Sequence, residues 1–99
     1  MRIAVNASAE LLHADIGRPR EHAARAAEDG FTGWWLAQTG LVDALTVFPA
    51  VAGSAPGIEF GTAVVPTFPR HPTMLAGQAL TTQAVLGDRS LVLGIGLSH

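Results

Sequence analysis

Four short apolar runs, separated by stretches with helical spacing, organise the chain. The runs are rich in Val, Ile, Leu, Phe and Trp and are bounded by Gly, Pro, Asn or Asp, a pattern typical of buried strands. They occupy residues 2–6, 31–37, 58–65 and 91–95. The helical stretches occupy residues 19–30, 43–53 and 72–86, and residues 7–18 are predicted as a loop. The sequence therefore predicts the order βαβαβαβ.

Proline and glycine residues mark the helix ends. Pro19 and Pro72 suit the first turn of a helix, where a missing N–H costs no hydrogen bond. Gly30 and Gly87 suit helix ends, where a left-handed residue is common. Pro49 falls inside the second helical stretch, where proline removes a hydrogen bond and clashes with the preceding turn. We expect either a kink there or a helix that begins only near Pro49.

The alternation of strands and helices predicts an α/β fold with a parallel sheet and right-handed connections. Two architectures fit this order: a small doubly wound sheet, and the N-terminal half of a (β/α)8 barrel. Both place ligands at the carboxyl ends of the strands. Those ends are residues 6–8, 38–39, 65–67 and 97–99.

The composition predicts that part of the apolar surface of these residues is covered by other protein. Hydrophobic residues make up 48% of the chain and charged residues 14%, against about 25% charged in an average domain. A partner chain or further C-terminal barrel units would cover the excess apolar surface. We expect residues 1–99 to form one partial barrel domain. Self-association is the alternative way of covering its apolar surface.

Charge, cysteine content and hydropathy exclude several classes of function. The formal net charge is −2 and the six basic residues are all dispersed Arg, so no basic stripe is available for nucleic acid. The chain has no Cys, which excludes disulfides and thiolate chemistry. No stretch has the length of a membrane span, and the N-terminus has no signal-peptide pattern, so we expect a cytoplasmic protein without a membrane partner.

Several segments, taken in order, resemble the luciferase-like monooxygenase family, and most closely its deazaflavin-dependent oxidoreductases. The segments are AAEDGF at 26–31, DALT at 43–46, GTAVVPTFPRHP at 61–72, QALT at 78–81 and LGIGLSH at 93–99. The resemblance covers nearly the whole chain. It implies the first four strands and three helices of a (β/α)8 barrel.

The resemblance also implies chemistry at the mouth of that barrel. It implies hydride transfer between a small-molecule substrate and coenzyme F420, a deazaflavin, or flavin chemistry with FMN in related enzymes. In the family a non-proline cis peptide in the third strand bulges under the cofactor ring, and the matching bond is Ala63–Val64. The family holds the phosphate-bearing tail of the cofactor mostly with the later half of the barrel.

Candidate site residues follow from the strand ends and from the resemblance. His99 is the candidate catalytic residue, because an unperturbed His pKa near 6.5 suits proton transfer; an exposed His without a partner is the alternative. The candidate cofactor-binding residues are Asn6, Gln38, Thr39, Ala63, Val64, Val65 and Ser98. No His, Asp or Glu set has metal-ligand spacing, so no metal is expected.

Other residues with chemical potential have simpler interpretations. Arg70 and His71 precede the third helix and are a candidate anion site, although packing of the loop is the stronger hypothesis. Trp34 and Trp35 alternate along the second strand, so one is expected to face the helices and the other the barrel interior.

Three functional hypotheses remain open from the residues. The first is the N-terminal part of a deazaflavin- or flavin-dependent oxidoreductase that is inactive alone. The second is a non-catalytic half-barrel that self-associates through its unpaired edge strands. The third and weakest is a flavodoxin-like binding domain, because the loop after the first strand has no glycine before Gly17.

Overall fold

The computed structural model of the chain describes residues 2–12, 14–38, 42–66 and 70–96, and it has the predicted βαβαβαβ order. The strands are β1 (Ala4–Asn6), β2 (Gly33–Leu36), β3 (Glu59–Pro66) and β4 (Leu91–Gly96). The helices are α1 (Gly17–Glu28), α2 (Ala44–Ala52) and α3 (Pro72–Leu86), with a short 3₁₀-helix at Ser8–Leu11. None of the helices in these described ranges is long and apolar enough to cross a bilayer.

The four strands form one parallel sheet in the order β1-β2-β3-β4. A doubly wound sheet reverses direction at a switch point, so that strand order and chain order differ. Here each strand pairs with the next one in the chain, and α2 contacts both α1 and α3. This succession is that of a (β/α)8 barrel, and the doubly wound alternative is wrong.

The core lies between the sheet and the three helices. Trp34 is fully buried there, and its ring lies 6.2 Å from those of Phe48 and Phe60, edge-on to both. Its indole Nε1 donates a 2.9 Å hydrogen bond to Nδ1 of His22 on α1. Edge-to-face aromatic contacts and a partner for the indole N–H stabilise a buried Trp. The aromatic cluster thus fixes α1 and α2 against the sheet.

Within the described ranges no helix packs on the other face of the sheet. Trp35 lies there, in register with Gly61, and a Cβ on Gly61 would come within 2.6 Å of the Trp35 ring. The ring therefore lies flat against the backbone of β3. Val92, also on this face, is 48% exposed. The prediction that Trp34 and Trp35 face opposite sides is confirmed, with Trp34 on the helix side.

The segment before α1 differs from the predicted loop. It contains the 3₁₀-helix, and α1 begins at Gly17. Asp15 Oδ1 accepts a 2.8 Å hydrogen bond from the Gly17 N–H, so a side chain satisfies a donor of the first turn that has no helical partner. The predicted end of α1 is confirmed, because Gly30 follows the helix with a φ of 89°.

Helix α2 runs through Pro49 and begins at Ala44, so the expectation of a start near Pro49 is wrong. Asp43 caps its N-terminus by accepting a 3.0 Å hydrogen bond from the Thr46 N–H. Because proline has no N–H, Pro49 cannot donate to the carbonyl of Leu45 four residues earlier. Thr82 on α3 is buried, and its hydroxyl donates to that Leu45 carbonyl at 3.3 Å. A side chain of the neighbouring helix thus supplies the donor that the proline removes.

Replacing Thr82 with Val is expected to destabilise the fold by about 1–3 kcal/mol, because it leaves the buried Leu45 carbonyl without its donor. Thr82→Ser keeps the hydroxyl and is the matched control. In a Pro49→Ala background the backbone N–H is restored, so the cost of Thr82→Val should fall. Urea unfolding of the wild type, Thr82→Val, Pro49→Ala and the double variant measures this coupling. Equal costs in both backgrounds would contradict the explanation.

Candidate functional site

The carboxyl ends of the four parallel strands meet at one edge of the sheet. This edge, which we call the strand mouth, contains Asn6, Gln38 and the end of β3 at residues 63–66. The structure therefore brings together the predicted residues Asn6, Gln38, Ala63, Val64 and Val65. The predicted residues Thr39, Ser98 and His99 lie outside the described residues.

Strand β3 contains a β-bulge at this edge. Thr62 pairs with Leu93 and Val65 with Ile95, so β3 advances three residues while β4 advances two. The extra length falls on Ala63 and Val64, and the peptide bond between them is cis, as the resemblance implied. Both residues are exposed, whereas the Val65 side chain is fully buried. Val65 is thus covered as a whole residue, and Ala63 and Val64 form the exposed part of the bulge.

The hydroxyl of Thr62 bridges the two strands at the bulge. It accepts a 2.9 Å hydrogen bond from the Gly94 N–H and donates a 2.8 Å hydrogen bond to the Gly94 carbonyl. Thr62 is fully buried, and these two bonds satisfy its hydroxyl as acceptor and as donor where the register shifts. One side chain thereby replaces the interrupted ladder.

Glycine residues on β4 make room for the bulge. A Cβ on Gly94 would collide with the carbonyl oxygen of Thr62, and a Cβ on Gly96 would lie 2.9 Å from Cγ2 of Val64. Val64 therefore lies against the backbone of β4 with no side chain between them. Its own side chain is 42% exposed, so the bulge presents an apolar surface at the mouth.

Gln38 connects the bulge to the start of α2. Its backbone N–H donates a 3.0 Å hydrogen bond to the Val64 carbonyl. Its side-chain Oε1 accepts from the Ala44 N–H at 2.7 Å, and Nε2 donates to the Val42 carbonyl at 2.6 Å. The amide of Gln38 therefore holds Val42 and the start of α2 in place beside the mouth.

Asn6 and Ser8 connect the end of β1 to the end of β2. Oδ1 of Asn6 accepts hydrogen bonds from the Ser8 N–H, at 2.9 Å, and from the Ser8 hydroxyl. The Ser8 hydroxyl oxygen accepts a 2.8 Å hydrogen bond from the Ala37 N–H. Two strand ends are thus joined by side chains, and the backbone bond of Gln38 to Val64 joins the third.

An ion pair joins the start of α2 to the segment before α3. Arg70, before α3, pairs with the carboxylate of Asp43, and its guanidinium also donates to Gln78 Oε1 at 2.9 Å. Burial alone would raise the pKa of Asp43, but hydrogen bonds from Thr46 and Arg70 and the charge of Arg70 outweigh it and hold that pKa below its ordinary value. His71 Nδ1 accepts from the Thr73 N–H at 3.1 Å and caps α3. The contacts of Arg70 and His71 support the loop-packing hypothesis over the anion site.

The strand mouth combines an exposed apolar surface with a polar side chain at its edge. The bulge at Ala63–Val64 offers an exposed apolar platform, and the neighbouring β4 carries glycines at the same level. Asn6 offers a polar side chain on the far side of β2. Within the described residues no group of three or more His, Asp or Glu is placed to hold a metal ion.

Sequence reasoning missed Thr62 and Ser8. The signal for Thr62 was a polar residue at a position where strand alternation demands a buried one. For Ser8 it was the spacing Asn6–Ser8, which is typical of an Asx turn, in which the Asn side chain accepts from the backbone N–H two residues on.

Comparison with known proteins identifies one family. The family model for the luciferase-like monooxygenases matches residues 1–99. The comparison with curated proteins gives no match.

Three solved structures have similar folds. The oxygenating constituent of 3,6-diketocamphane monooxygenase from Pseudomonas putida, solved with FMN, is 16% identical with a TM-score of 0.85, over 100% of this chain and 30% of that one. Coenzyme F420-dependent tetrahydromethanopterin reductase from Methanopyrus kandleri is 23% identical with a TM-score of 0.75, over 99% and 27%. Monooxygenase RslO1 from Streptomyces bottropensis is 21% identical with a TM-score of 0.76, over 100% and 34%. The chain thus spans about a third of the length of these proteins.

Replacing Gly94 with Ala is expected to destabilise the protein by about 1–3 kcal/mol or more, because the added Cβ meets backbone that cannot move aside. Gly77 on α3 has open space around it, so Gly77→Ala is the matched control. That control should stabilise the helix by about 0.5–1 kcal/mol. Thermal melts of both variants check the pair, and a neutral Gly94→Ala would contradict the described packing of the bulge.

Replacing Asp43 with Asn is expected to lower the melting temperature at pH 7 by about 4 °C, the shift for a loss of about 1 kcal/mol. Asn is an equally good N-cap, so this variant isolates the pair with Arg70. Because the folded pKa of Asp43 lies below its ordinary value, the wild-type advantage is complete above that ordinary value, about 4. It should disappear as the pH falls through the lowered pKa. A constant difference between the melting curves from pH 7 to pH 2 would contradict this assignment.

Proposed function

The chain belongs to the luciferase-like monooxygenase family, and from that premise we propose that it is the N-terminal part of a deazaflavin- or flavin-dependent oxidoreductase. The observation that carries the proposal is the β-bulge at the strand mouth. It places an exposed apolar platform, Ala63–Val64, at the edge of a parallel sheet where such folds bind ligands.

The proposed cofactor is coenzyme F420, with FMN as the alternative. Of the proteins with similar folds, one is a coenzyme F420-dependent reductase and another was solved in complex with FMN. When bound, either ring would supply hydride transfer to or from a small-molecule substrate. The exposed Val64 side chain would support the ring face, and the amide of Asn6 would bound the same site. Val65 is fully buried, so its proposed contribution is to pack beneath the site and not to touch the ring.

Proton transfer at the mouth is assigned to His99, and further cofactor contacts to Thr39 and Ser98. Gln38 bonds through its side-chain amide to Val42 and Ala44, at the start of α2. Its proposed contribution to cofactor binding therefore includes the placement of the start of α2 beside the mouth.

The proposal extends to a protein longer than the described fold. The chain covers only 27–34% of the three similar structures, and a barrel binds its ligands with loops from all eight strands. We therefore propose that these residues alone are inactive. The proposed compartment is the cytoplasm and the proposed partner a small molecule, without nucleic acid or membrane.

A second candidate, a self-associating half-barrel, is favoured by the exposure of the edge strand. On β4, Val92 is 48% and Ile95 55% exposed. Apolar side chains on an edge strand promote pairing with another chain. Size-exclusion chromatography of the 99-residue chain over a hundredfold concentration range separates the candidates, since a monomer at every concentration excludes self-association.

Titration of the intact protein with F420 and with FMN, followed by the fluorescence anisotropy of each ring, tests the main proposal. We expect binding of one of them. Val64→Ser should weaken it by about tenfold, because the apolar contact with the ring face is lost. Val85 on α3 is 59% exposed and lies away from the mouth, so Val85→Ser is the matched control and should bind like the wild type. Binding of neither ring by the wild type would overturn the proposal.

A further inference from the structure

The orientation of the Asn6 side-chain amide is fixed by a group that can only donate. The Ser8 backbone N–H lies 2.9 Å from one terminal atom of Asn6. A backbone N–H has no acceptor capacity, so the atom facing it must be the oxygen, Oδ1. The nitrogen, Nδ2, is therefore the atom turned away from Ser8.

A second backbone group fixes the direction of the Ser8 hydroxyl. The Ala37 N–H donates to Ser8 Oγ at 2.8 Å, so the hydroxyl hydrogen is free to point elsewhere. It points to Asn6 Oδ1, which accepts it as a second hydrogen bond. The two lone pairs of Oδ1 are then both in use.

The remaining polar group of Asn6 is an unused donor at the strand mouth. The side chain is exposed, and among the described residues none accepts a hydrogen bond from Nδ2. Asn6 is in register with Trp35 on β2, which is in register with Gly61 on β3. Adjacent strands lie about 4.8 Å apart, so β1 and β3 are separated by about 10 Å, the span of a fused three-ring system.

We propose that Asn6 is a specificity-determining residue that offers only a hydrogen-bond donor to the bound ring, and that Ser8 is its positioning residue. The ligand must then present an acceptor there, a carbonyl oxygen of the ring that rests on Ala63–Val64. A ligand with an N–H at that point meets another donor and is rejected. This inference rests on the proposed function and adds to it the ring group that is recognised at β1.

The matched variants are Asn6→Asp, Ser8→Ala and Ser8→Thr. Asn6→Asp keeps the oxygen that Ser8 needs but replaces the donor with an acceptor, so the fold should be retained while ring binding weakens by at least tenfold. Ser8→Ala leaves the amide held by one hydrogen bond and should weaken binding by about threefold. Ser8→Thr keeps the hydroxyl and should restore wild-type affinity.

The experiment measures the dissociation constants of F420 and FMN for the intact protein and each variant by fluorescence anisotropy, together with the ¹⁵N side-chain amide spectrum. The Asn6 NH₂ signals, assigned by their loss in Asn6→Asp, should shift on addition of the bound ring. Wild-type affinity in Asn6→Asp, or NH₂ signals that do not move, overturns this inference and leaves the proposed function standing. Binding of neither ring by the wild type overturns both.

Discussion

One buried hydroxyl holds the sheet together where its backbone ladder is interrupted. The register between β3 and β4 shifts by a residue at the bulge, and both backbone groups of the partly buried Gly94 bond to a side chain there. A buried unpaired backbone group costs about 1–3 kcal/mol, so such an interruption persists only when partners are supplied. Thr62 supplies both, as acceptor and as donor, within 3 Å.

The geometry of the candidate site depends on the Thr62 hydroxyl, which bonds to the backbone of β4 where the strand register is interrupted. Because Thr62 secures the strands on either side, Ala63 and Val64 protrude without loosening the sheet. Gln38 then ties β2 to the bulge through the Val64 carbonyl, and Ser8 ties β1 to β2. A site assembled on fixed strands by hydrogen bonds of this kind needs little ordering when a ligand arrives.

The sequence predicted the order of the elements because local patterns encode it. Apolar runs of strand length, Pro72 at a helix start and Gly30 at a helix end depend on neighbouring residues only. It did not predict the partner of the Leu45 carbonyl or that of Asp43, because Thr82 and Arg70 are 37 and 27 residues away. Those pairs depend on the packing of one helix or loop against another.

The sequence indicated where the strand ends meet but not how their side chains are connected. The alternation of strands and helices indicated the strand mouth, and the family resemblance located the cis peptide at Ala63–Val64. The roles of Asn6 and Gln38 as anchors of loops and strand ends could not be predicted, because a side-chain amide bonds equally well to a ligand or to backbone. Which it does is decided by the N–H and carbonyl groups that the fold places around it.

The most direct test of the account is a nuclear Overhauser measurement on the intact protein with ¹³C-labelled valine methyl groups and bound F420 or FMN. The account predicts cross-peaks between the aromatic protons of the ring and the methyl groups of Val64, and none to the buried methyl groups of Val65. Cross-peaks confined to residues on the outer faces of the helices, with Val64 unaffected, would contradict it.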